Sequence, residues 1–78
     1  MNTTLIAQLM ADAVRMVDNH NSLPEPFVDN SFMSYHIRIS VANEDEGTKN
    51  MAEIILADAL NAVNERKPYF PILTEETQ

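Results

Sequence analysis

The chain has 78 residues, a formal net charge of −7 and no cysteine. This length allows one domain with a thin hydrophobic core, and the lack of cysteine excludes disulfides and thiolate metal sites. The excess of Asp and Glu opposes nonspecific binding to nucleic acid or to an anionic membrane. We therefore expect a single small acidic domain over residues 1–78.

No apolar run reaches the ~20 residues that span a bilayer. The N-terminus also lacks the positively charged start of a signal peptide. These features predict a cytoplasmic protein that does not contact a membrane.

The first predicted element is a helix over about residues 3–19. Apolar residues recur with the helical period from Leu5 to Val17, and Asn2 or one of the two threonines after it can cap the helix start. The apolar arc is wider than the ~100° of a surface helix, which predicts contact with two surfaces, one of them in a second subunit. A proline-containing loop over residues 20–31 follows.

Residues 32–42 alternate strictly between apolar and polar side chains, which is typical of a strand with one buried face. The apolar positions are Met33, Tyr35, Ile37, Ile39 and Val41, and the polar positions are Ser34, His36, Arg38 and Ser40. A lone strand leaves its backbone groups unpaired. We expect it to pair with the same strand of a second subunit, so that the five apolar residues form the dimer strand. The alternatives are pairing with Phe27–Val28 or with the tail around Tyr69–Leu73.

A second helix is predicted over about residues 48–66, with Thr48 as its N-cap. Pro68 prevents the helix from continuing, so residues 67–78 are predicted to form a tail. Its core stripe consists of Ala52, Ile55, Leu56, Ala59, Leu60 and Val63. The predicted fold class is therefore α/β (α+β), in the order helix–strand–helix.

No motif for catalysis, metal binding or cofactor binding is recognisable. The two histidines lack ligand spacing, and the single glycine excludes a phosphate-binding loop. The acidic loop fits a calcium-binding loop at Gly47 and Glu53, but Ala42 occupies its first ligand position. We expect neither an enzyme nor a cofactor.

The carboxylates are concentrated around the predicted strand–helix junction. They include Glu44, Asp45, Glu46, Glu53 and Asp58. In a dimer such groups could imitate a row of phosphates and occupy a basic groove. In size and charge the chain is similar to small acidic phage proteins that inhibit host defence or nucleic-acid machinery. We expect a non-enzymatic interaction protein that binds and inhibits or regulates a macromolecular partner, with basic or nucleic-acid-binding proteins as candidates.

Apolar residues beyond the predicted core indicate a second surface. They are Met51, Ile54, Tyr69 and Phe70, and they suit either self-association or docking of another protein. One alternative function is a dimeric binder of a small ligand or of nucleic acid that uses His36 and Arg38. A single firm cation per subunit argues against direct nucleic-acid binding. Another alternative is an assembly subunit of a larger complex.

Overall fold

Three α-helices make up the computed structural model, which describes residues 1–24 and 30–71. Helix α1 spans Thr3–Asn21, α2 spans Ser31–Ser40 and α3 spans Glu46–Asn64. The two predicted helices are present as α1 and α3, with slightly shifted ends. The predicted α/β class is wrong, because the described ranges contain no strand and the predicted strand 32–42 is α2 and its C-terminal turn.

The error arose because the alternation in residues 32–42 also satisfies helical spacing. Met33, Ile37 and Val41 are four residues apart, and all three are buried in the core. Tyr35 and Ile39, which a strand would place beside them, are 65% and 55% exposed. A helix pairs its backbone groups internally, whereas a lone strand needs a neighbour. The predicted dimer strand and its polar face therefore do not exist.

Helices α1 and α3 run in the same direction: hydrogen bonds connect the N-terminal ends of the two helices, and others connect their C-terminal ends. At the start, the backbone N–H of Asn2 donates to the Thr48 hydroxyl at 2.8 Å. At the end, the Arg66 guanidinium donates to the carbonyls of Asn21 and Leu23 at 2.9 and 2.8 Å. Helix α2 lies between them in the chain and contacts both, through His36 with Asp12 of α1 and through Arg38 with Glu53 of α3.

The core lies between the three helices. It consists of Ile6, Leu9, Met10, Ala13 and Val17 from α1, Met33 and Ile37 from α2 with Val41 after it, Ala52, Ile55, Leu56, Ala59, Ala62 and Val63 from α3, and Tyr69 from the tail. Of the predicted α3 stripe, only Leu60 is not fully buried. The predicted pairing segments Phe27–Val28 and residues 72–73 lie outside the described ranges.

Helix α3 ends in a left-handed turn at Arg66, whose φ is 54°. The N–H of Lys67 donates to the carbonyl of Ala62 at 3.0 Å, and the N–H of Arg66 donates to Val63 at 3.1 Å. This pair of bonds is the Schellman motif, which normally places glycine in the left-handed position. The turn directs residues 68–70 toward the side of α3.

Candidate functional site

Two adjoining cavities form a groove along the side of α3. The first, of about 360 Å³, is lined by Met10, Met51, Ile54, Ile55, Asp58, Tyr69 and Phe70. The second, of about 310 Å³, shares Asp58, Tyr69 and Phe70 and continues past Asn61, Ala62, Lys67 and Pro68. We call the two together the Asp58 groove. Five residues that the sequence indicated for partner binding meet in it, namely Met51, Ile54, Asp58, Tyr69 and Phe70.

Tyr69 and Phe70, which follow Pro68, form one wall of this groove. Tyr69 is buried and belongs to the core, and burial raises the pKa of its phenol to about 12, with a further contribution from the negative charge of Asp58. The neighbouring Phe70 is 79% exposed. Tyr69 therefore holds the segment directly after Pro68 against the helices, while Phe70 presents its aromatic ring to the solvent.

Asp58 supplies the negative charge of the groove. Its carboxylate makes no hydrogen bond or ion pair with any residue in the ranges 1–24 and 30–71. Lys67, which also lines the groove, is paired with Glu65 at 2.8 Å. Because Ile54 is also exposed, the groove combines accessible apolar surface with a carboxylate that no cation in the described part of the chain pairs with.

The other predicted acidic residues do not join Asp58. Asp45 caps α3 by accepting the N–H of Thr48 at 2.8 Å, and it lies 3.3 Å from the Met1 ammonium. These contacts, the Thr48 hydrogen bonds first, lower its pKa to about 2. Its neighbours Glu44 and Glu46 lie at the same end of α3, where Glu44 accepts from the Asn2 amide at 3.3 Å.

Glu53 lies on the side of α3 that faces α2. It receives two hydrogen bonds from the Arg38 guanidinium, at 3.0 and 3.1 Å, and these lower its pKa. The five carboxylates that the sequence grouped are therefore divided among the helix start, the α2–α3 contact and the Asp58 groove.

His36 and Arg38, the predicted ligand-binding pair, lie on opposite edges of α2. The Nε2 atom of His36 is 3.0 Å from Oδ2 of Asp12 on α1, while Arg38 contacts Glu53 on α3. The hydrogen bond with His36 holds the pKa of Asp12 below its usual value, and bonds with Gln8 and Arg15 act in the same direction. Both side chains connect helices, so they do not form a shared ligand face.

A second exposed apolar surface lies on α2, and it was not identified from the sequence. Phe32, Tyr35 and Ile39 are exposed, and we call them the α2 outer stripe. The Phe32 ring stacks on His36 with 6.1 Å between ring centroids. The spacing of three and four residues was the signal that could have identified this stripe, but it became visible only once the segment was known to be helical.

No protein-family model matches the chain, and no curated protein or solved structure matches it. Within the part of the chain that the structure describes, no three His, Asp or Glu side chains are grouped as metal ligands. None of the helices there has both the length and the apolar character needed to cross a membrane.

Proposed function

We propose that this chain is a non-enzymatic interaction protein that regulates a partner protein by binding it through the Asp58 groove. The observation that carries the proposal is the meeting of exposed apolar side chains around a carboxylate that has no cationic partner among the described residues. Ile54 and Phe70 come from different segments, α3 and the tail, yet line the same cavity as Asp58. Exposed large apolar residues that are contiguous often mark protein-binding surfaces.

The chemistry of the groove defines the partner segment that it fits. Phe70 suits the role of an aromatic anchor, and the partly buried Met51 offers a side chain that adapts to different shapes. Asp58 favours a Lys or Arg beside the apolar contact, and the net charge of −7 attracts a basic partner from a distance. An amphipathic helix with a basic residue next to its apolar face meets both requirements.

A display library of short random peptides, selected against the full chain, tests this proposal. Enriched peptides should combine an apolar anchor with a neighbouring Lys or Arg. Ile54→Glu should lower the affinity of such a peptide by about 30-fold or more, as expected for a central contact residue. Asp58→Asn should lower it by only about fivefold and reduce its dependence on salt, because the carboxylate is exposed.

The double variant Glu44→Gln/Glu46→Gln is the matched control. It removes two carboxylates but keeps the Asp45 cap of α3, so the fold is preserved and groove binding should be unchanged. Loss of binding in this control would assign binding to the acidic loop instead. Peptide binding that survives Ile54→Glu would contradict docking of a partner in the groove. Binding that occurs only after residues 72–78 are deleted would also contradict it, because the groove of the full chain would then be closed to a partner.

A further inference from the structure

Helix α2 presents an apolar stripe to the solvent, away from the Asp58 groove. Phe32, Tyr35 and Ile39 are 66%, 65% and 55% exposed, while Met33 and Ile37 on the other side of the helix are fully buried. The three exposed residues are spaced by three and four positions, so they occupy a single heptad of about 10 Å along one face. Helix α2 therefore has an apolar face on both of its sides.

The charges on α2 indicate what covers this stripe. Residues 31–40 contain no Asp or Glu, whereas α1 carries Asp12 and Asp18 and α3 carries three carboxylates. The only firm cation of α2 is Arg38, which already pairs with Glu53. The α2 helices of two copies can therefore pair without placing a carboxylate of one α2 against a carboxylate of the other, and α2 itself offers no carboxylate to a basic partner.

We propose that a second copy of the chain covers the α2 outer stripe in an antiparallel, two-fold symmetric helix pair. A two-fold interface brings the same patch of both subunits together, so the patch must complement itself. Pairing centred between Tyr35 and His36 places Phe32 of one copy against Ile39 of the other, an aromatic ring against a branched side chain. The stacking of Phe32 on His36 orders that ring in advance, which lowers the entropic cost of pairing.

The area of the stripe sets the strength of the dimer. Aromatic side chains bury about 150–250 Å² each, so the exposed parts of Phe32, Tyr35 and Ile39 amount to roughly 300–400 Å² per copy. A stable interface buries about 800 Å² per partner. The stripe supplies about half of that area, so the dimer is weak and its dissociation constant is micromolar or higher.

Analytical ultracentrifugation of the full chain, from about 10 µM to about 1 mM, brackets that range of dissociation constants. The measured mass should rise from 8.8 kDa toward twice that value with concentration. Tyr35→Glu should remain monomeric throughout, because two carboxylates would meet at the two-fold axis. Tyr35→Phe should dimerise like the original chain, since it keeps the ring.

Ile54→Glu is the matched control, because it places the same charge on an exposed apolar residue in the Asp58 groove. It should dimerise normally while losing peptide binding, and Tyr35→Glu should do the reverse. Circular dichroism shows whether each variant keeps its helices. A monomer at every concentration, or a Tyr35→Glu variant that dimerises normally, overturns the proposal. If only Ile54→Glu loses the dimer, the proposal is also overturned, because the dimer interface then lies in the Asp58 groove.

Discussion

Replacing Ile37 and Ile39 by alanine, one at a time, tests whether residues 31–40 form a helix. In a strand both side chains would lie on the same buried face, and both substitutions would be costly. In the helix Ile37 is 0% exposed and Ile39 is 55% exposed. The same substitution at two positions, two residues apart, should therefore have very different effects.

The expected magnitudes follow from burial. Ile37→Ala removes buried atoms and leaves a cavity, which lowers the free energy of unfolding by about 2–5 kcal/mol. Ile39→Ala changes an exposed position and should stay within about 0.5 kcal/mol. A chain of this length is stable by about 4–12 kcal/mol in total, so Ile37→Ala should lower Tm by at least about 10 °C.

Urea unfolding followed by far-ultraviolet circular dichroism measures both variants. The concentration should be low enough to keep the chain monomeric, so that pairing through Ile39 does not contribute. If Ile37→Ala does not fold, Ile37→Val should still cost about 0.5–1.5 kcal/mol. Equal losses at Ile37 and Ile39 would refute the helix and restore the alternating strand.

Substitutions at three further positions test the helix ends and the segment that follows α3. The pKa of Asp45 is about 2 in the folded chain and 3.8 ordinarily. Its ionised form therefore stabilises the fold above about pH 4, and this contribution is lost as the pH falls toward 2. In Asp45→Asn the urea midpoint should depend less on pH over this range. Arg66→Ala should be less stable than Arg66→Gly by about 1 kcal/mol, because both lose the carbonyl contacts but only glycine relieves the left-handed turn; equal urea midpoints would contradict this. Burial raises the pKa of Tyr69 to about 12. Its neutral phenol therefore stabilises the fold below about pH 10, and this contribution is lost as the pH rises toward 12. Tyr69→Phe should remove this loss of stability at alkaline pH in the same assay.

The sequence indicated the helix ends only to within a few residues. It offered Thr48 as the N-cap of the last helix, whereas Asp45 is the cap and Thr48 lies buried in the first turn. Both residue types can cap a helix. The contact between the Thr48 hydroxyl and Asn2 decides between them, and that contact exists only once α1 lies beside α3.

The Asp58 groove was predictable in its residues but not in its shape. Met51, Ile54, Tyr69 and Phe70 were recognised as more apolar surface than the predicted core needed. Their meeting depends on the turn at Arg66, whose positive φ is uncommon for any residue other than glycine. Nothing in the local sequence marks an arginine for that conformation.

The sequence by itself determined that the chain is acidic and that α1 and α3 are helices, because their apolar residues follow a helical period over many turns. The tertiary structure decided the form of residues 31–40. Apolar residues at every second position include apolar residues at every fourth, so both periods fit a segment this short. With no second strand among the described residues to pair its backbone, the helix that buries Met33, Ile37 and Val41 against the core is the stable form.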